Sequence, residues 1–176
     1  MQTLLQGVDL LSRAIVLFSR FVIIASGIAL TLVMAANVFA RYTLESGGFS
    51  FAQELPMLIF PWFIIAGIVL AAQAGGHMSV EWLYDKLDGG ARVAAFVFAN
   101  AISIVAFLVL AYQSAVVAEI AGFEHSPVLQ LPNSIGYYAL AIGAVLVSIV
   151  TVAATLRVLR FGWDQRVEIK AEEMPL

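Results

Sequence analysis

The sequence contains no cysteine, only two histidines, and few charges: Asp, Glu, Lys and Arg make up 12% of its 176 residues. Without cysteine there can be no disulfide, thiolate metal site or cysteine nucleophile. Soluble domains carry roughly 25% charged residues, so half that share places the chain in the membrane class. No basic patch is present to track a phosphate backbone, and no nucleic-acid partner is expected. The net charge of −3 rests on a handful of loop and tail residues rather than on an acidic surface that could select a partner. There is no Ser/His/Asp arrangement, phosphate-binding glycine loop or metal-ligand cluster. The composition and motifs point to neither an enzyme nor a cofactor.

What is abundant is apolar length. Four windows, 21–40, 55–74, 93–118 and 135–156, contain no charged residue, and every acid and base falls in a connection or a tail. A membrane-spanning helix needs about 20 apolar residues, and a charge at the bilayer centre costs roughly 2.5–3.5 kcal/mol on insertion scales. Charges confined in this way are what burial in lipid imposes. The pattern predicts an all-α integral membrane protein in a single domain, residues 1–176, with spanning helices over 14–40, 55–74, 93–118 and 135–157 and a lipid bilayer as its surroundings. The first window is longer than a signal-peptide core and is followed at once by Arg41, so it reads as a retained helix.

Orientation follows from the basic residues. Arg13, Arg20, Lys86, Arg92, Arg157, Arg160, Arg166 and Lys170 fall on one side, and Arg41 alone on the other. Both termini and the 75–92 connection are therefore expected in the cytoplasm, with 41–54 and 119–134 in the periplasm. Within 75–92, Val80, Leu83, Tyr84 and Leu87 recur at helical spacing opposite Glu81, Asp85 and Asp88. A short amphipathic helix over 79–88 is expected to lie in the membrane interface, opened by Ser79 and ended by Gly89 and Gly90. Leu4, Val8, Leu11 and Ile15 form a similar stripe, so the first helix is expected to begin ahead of the bilayer; the polar 165–176 tail reads as flexible. No internal repeat suggests the two inverted halves of a self-sufficient transporter.

Several residues stand out from this background. Asn37 and Arg41 share one face at the end of the first helix, and Glu54 opens the second on the same side of the membrane. An Arg41–Glu54 pair reads first as a clamp closing the hairpin and second as a contact for a partner subunit. In the second helix Pro56 falls harmlessly in the first turn, whereas Pro61 frees the carbonyl of Met57 and is expected to bend the helix. Trp62 lies deeper than the interfacial Trp82 and Trp163, which suits either lipid packing or burial against another membrane protein. Ala95, Ala99 and Ser103, and Ala139 with Gly143, form small-residue stripes that allow close helix approach. Asn100 and Gln113 can bond across helices. His77, in Gly-Gly-His-Met, reads as interfacial, and the 119–132 stretch with Glu119 and Glu124 as a solvated acidic loop or a docking surface.

Taken in order, these residues resemble a known family, the small membrane subunit (Q-type) of tripartite ATP-independent periplasmic (TRAP) transporters. The resemblance rests on Asn37-Val38-Phe39-Ala40-Arg41-Tyr42, Phe51-Ala52-Gln53-Glu54-Leu55, Phe60-Pro61-Trp62 with Gly67, and Gly76-His77-Met78-Ser79-Val80-Glu81. Ser126-Pro127, Leu131-Pro132, Tyr137 and Gly143 continue it to the fourth helix. The chain departs from the family where Phe51 replaces a common nearby Trp and Gln53 replaces a second acid beside Glu54. The resemblance implies a four-helix subunit in the bacterial inner membrane, paired with a large elevator-type membrane subunit that carries the substrate and sodium sites. It also implies a periplasmic solute-binding protein as the third partner, delivering an organic acid such as a dicarboxylate or a sialic acid. Asn37, Arg41, Glu54, Pro61, Trp62, His77, Glu119 and Glu124 are then the candidates for structural or partner contact.

The residues read by themselves fit that role. A self-contained pump needs an ionisable group at depth, and a haem anchor needs histidines within its helices. The windows hold no ionisable group, and His77 and His125 fall at or beyond helix ends. A respiratory membrane anchor and a small self-contained channel or exporter remain the competing readings.

Overall fold

The computed structural model describes residues 2–44, 47–73, 84 and 86–163. Four helices make up most of it: α1 (Gln2–Thr43), α2 (Glu54–Gln73), α3 (Gly89–Ala121) and α4 (Ser134–Phe161). All four are long and apolar enough to cross a membrane, as the charge-free windows predict. In hydrocarbon each backbone N–H and C=O must find its partner within the segment, and a helix provides that. α2, at 20 residues, spans about 30 Å, the thickness of a bilayer core. α1, at 42 residues, is about 63 Å long and runs well past what a bilayer requires, in keeping with an early start.

The helices do not close into a symmetrical bundle. α4 is the hub, packed against α3, against α2 and more lightly against α1, while α3 packs substantially on α4 alone. Half of the spanning window of α4 is buried, against 6% for α1, so the four helices form an open layer in the order α3, α4, α2, α1. The reason is in the residues of α4. Ala139, Gly143, Ala144, Ser148 and Ala153 are small and buried, and they let neighbours approach from several directions. At Gly143 the fit leaves no room for a side chain, because a Cβ there would fall inside Ile65 of α2. Val69, Val147, Val150 and Ile15 form the central cluster from three helices.

α2 stays helical through Pro61, and Gly136 of α4 lies against the proline ring, where an added Cβ would be 3.3 Å away. Asn100 of α3 donates to the Thr155 hydroxyl of α4 at 2.8 Å, the cross-helix bond its sequence position suggested; Gln113 is exposed. Most of the expected interfacial helix over 79–88 lies outside the described residues, as does the tail. Gly89 and Gly90, expected to end that helix, instead open α3. Asp88 is extended and Gly89 takes φ +48°, a left-handed turn that glycine adopts without strain, and this redirects the chain into the new helix.

Candidate functional site

The polar residues singled out in the sequence converge at the end of the layer formed by residues 47–53 and 122–133. Their arrangement differs from the expected ion pair. Glu54, at the first position of α2, turns its carboxylate to the backbone of the α3–α4 connection. The Val128 N–H donates to Oε1 at 2.9 Å and to Oε2 at 3.1 Å, and the Leu129 N–H donates to Oε2 at 2.9 Å. The Ser126 side chain is also turned toward the carboxylate. The partners of Glu54 in the structure are the Val128 and Leu129 N–H groups, some 74 and 75 residues away in sequence, and not the Arg41 guanidinium. Arg41 is exposed on the last turn of α1.

The sequence of that connection explains why it can accept a carboxylate. Pro127 has no N–H of its own, and the turn after it presents the next two N–H groups side by side, a local concavity of donors suited to an anion. The turn is itself well braced. Ser126 N–H bonds the Leu131 carbonyl at 2.9 Å, Gln130 N–H the Ser126 carbonyl at 3.1 Å, and Asn133 N–H the Glu124 carbonyl at 3.0 Å. His125 and Pro132 form an isolated antiparallel bridge. Gln130 is left-handed at φ 54°, and its side-chain amide donates to the Pro127 carbonyl at 3.0 Å, which helps hold the uncommon conformation.

Asn37 secures the other connection. Its Oδ1 accepts the Phe49 N–H at 2.9 Å, so α1 holds the stretch that leads into α2. Gly48, at φ +102°, passes so close that a Cβ would lie 2.9 Å from the same Oδ1. Phe49 and Phe51 then stack with ring centroids 5.3 Å apart, both exposed. Glu119 and Glu124 are exposed at this end, and Phe123 is 88% exposed between them and the turn.

The remaining candidates are elsewhere. Trp62 is half-buried and faces inward, lining a cavity of ≈ 20 Å³ with Phe18 and Ser19 of α1 and Ile142 of α4. Trp62 thus shares this lining with residues of α1 and α4, while the rest of its surface is left for lipid or another membrane protein. Pro61 marks the contact with Gly136. His77 lies outside the described residues. Among the described residues no group of three or more His, Asp or Glu side chains could hold a metal ion.

The opposite end is held differently. Tyr84, Phe96 and Trp163 meet edge-on with centroids 5.2–6.0 Å apart, with Val158 completing the cluster. The Arg92 guanidinium lies 5.3 Å from the centre of the Trp163 ring, and its Nε donates to the Leu87 carbonyl at 2.8 Å. Sequence reading placed Trp163 at the interface and gave no sign of this cluster, since its members come from three separate stretches.

Comparison with known proteins agrees with this architecture. Residues 30–161, three quarters of the chain, match the family described as tripartite ATP-independent periplasmic transporters, DctQ component. An uncharacterised protein of Sinorhizobium fredii, y4mM, is 65% identical over all 176 residues, and the chain spans about a third (32%) of that relative's length. Two Haemophilus influenzae proteins are named for a TRAP transporter small permease. One is 26% identical over 133 residues, covering 75% of this chain and 81% of the relative. The other is 28% identical over 123 residues, covering 70% and 73%. With the matched region running from the middle of α1 to the last residue of α4, this chain belongs to the small membrane subunit family of TRAP transporters, the DctQ component.

Proposed function

We propose that the chain is the stationary scaffold of a binding-protein-dependent, sodium-coupled importer of an organic acid. In this reading it holds a large elevator-type membrane subunit at fixed depth and leaves transport chemistry to that partner. The observation that carries the proposal is how polar groups are used inside the spans. The hydroxyls of Ser148, Thr151 and Thr155 each donate to the carbonyl four residues back, at 2.8–2.9 Å. These hydroxyls are spent on their own helix backbone as donors, and the charge-free windows supply no carboxylate for a coupling ion. Eight basic residues against one favour cytoplasmic termini and a periplasmic 122–133 connection. In this reading Glu119 and Glu124 face the side from which a soluble binding protein arrives and offer it an acidic surface, while Glu54 is occupied by the turn and serves to hold it in shape.

The test is co-purification. The tagged subunit, extracted in mild detergent, should bring down one large polytopic membrane protein in near-equal amount, identified by mass spectrometry. Liposomes holding this chain alone should show no organic-acid flux. A chain that purifies alone and catalyses flux by itself would overturn the scaffold reading.

A further inference from the structure

Beside the Glu54 turn, α2, α4 and the α3–α4 connection line an open cleft of ≈ 550 Å³, with the Pro61–Gly136 contact among its lining. Phe60, Pro61 and Ile64 form one wall and Leu140 the other, with Glu124 and Asn133 at the mouth. The cleft ends where Ile65 plugs the notch at Gly143. From Met57 at the mouth to Ile65 at the closed end is eight residues of helix, about 12 Å. One leaflet of hydrocarbon is about 15 Å deep, half of a bilayer core. A spanning helix from a partner protein would need a groove through both leaflets, whereas this one stops near the midplane. Its depth suits a lipid of the leaflet at the 122–133 end.

The mouth indicates which lipid. Glu124 is the only charged residue in the lining, so the site attracts a cation and disfavours an anion. The Asn133 amide and the Tyr137 hydroxyl, both in the lining, can donate to phosphate or ester oxygens. We infer that the cleft is a binding site for one glycerophospholipid bearing an ammonium headgroup, such as phosphatidylethanolamine, with the ammonium beside Glu124 and acyl chain along Phe60 and Ile64. The lipid fills the cleft that the side chains lining it leave open. This inference does not depend on the transport reading.

Native mass spectrometry of the full chain purified in mild detergent, from membranes of known lipid composition, tests it. One retained phospholipid per chain should be enriched in phosphatidylethanolamine over phosphatidylglycerol by roughly fivefold, the size expected of one interfacial ion pair. Glu124→Lys should reverse that preference while leaving the thermal melting profile intact. Ile64→Trp, which fills the cleft, should abolish retention in a protein of unchanged helix content. A photoreactive side chain at position 64 should label lipid in native membranes. Retention unaltered in both variants, or labelling that goes to a protein band, would overturn the inference.

Discussion

The two ends of this small membrane protein are closed by opposite chemistry. At the 122–133 end a carboxylate and an amide fix the connections through backbone N–H groups, Glu54 a connection 74 residues away and Asn37 the one that follows its own helix. At the other end three aromatic rings and an arginine gather from the connection before α3, the first turns of α3 and the stretch just past α4. Charge-assisted bonds fix direction, since a carboxylate accepts only along its lone pairs, and so the first end is held in a specified shape. Ring packing stabilises by contact area and tolerates small rotations, so the second end is held together more than it is held in register. A preformed loop loses less entropy on binding, so the docking role proposed for this end would benefit from the first kind of closure.

This contrast can be broken at either end. The largest effect is expected from Phe96→Ala, which removes the buried centre of the aromatic cluster and should lower unfolding stability by about 3 kcal/mol, read from thermal melts in detergent. Trp163 emission should shift red at the same time. Little change in either would show that the cluster is incidental.

Glu54→Ala should come next, and its signature should be local. The Val128 and Leu129 amides should lose hydrogen-exchange protection by an order of magnitude or more, while amides near Phe96 keep theirs. Glu54→Gln should keep only part of the protection, since an amide oxygen is a weaker acceptor than a carboxylate. Protection equal in all three proteins would show that the turn holds itself without α2.

Asn100→Leu should cost about 0.6 kcal/mol, the average for a polar contact between membrane helices, with 1.7 as the upper range. A loss above that range in the melts would mean that this bond sets the register of α3 on α4. The smallest effect sharpens the comparison most. Arg41→Ala should leave the Val128 and Leu129 amides as protected as before, and its effect should add to that of Glu54→Ala in the double variant. Strong non-additivity would restore the ion pair that the sequence suggested and the structure does not show.

The structure shows backbone partners for Glu54 where the sequence suggests Arg41, and the reason is instructive. Sequence reading pairs an acid with the nearest base across a hairpin, because only side chains carry a letter. The true partners are backbone N–H groups made available by the turn after Pro127, and backbone donors look the same in every sequence. Asn100 could be read correctly because a polar residue in an apolar helix has few alternatives to a cross-helix bond, and Thr155 is a hydroxyl on the helix that neighbours it. Trp62 lies between: its depth is legible in the sequence, but that it shares a cavity lining with Ser19 depends on how α1 packs on α2.

By itself the sequence determined the solvent, the number of spanning helices and the absence of charge from their middles, since each follows from transfer free energies that act residue by residue. It determined that α4 would carry small residues, but not that this would make it the hub. Tertiary structure alone decided which helix neighbours which, where Ile65 finds Gly143, and that Glu54 closes a turn some 74 residues away. Those outcomes depend on shape and on backbone groups brought together by folding, and neither shape nor backbone is written in the identity of single residues.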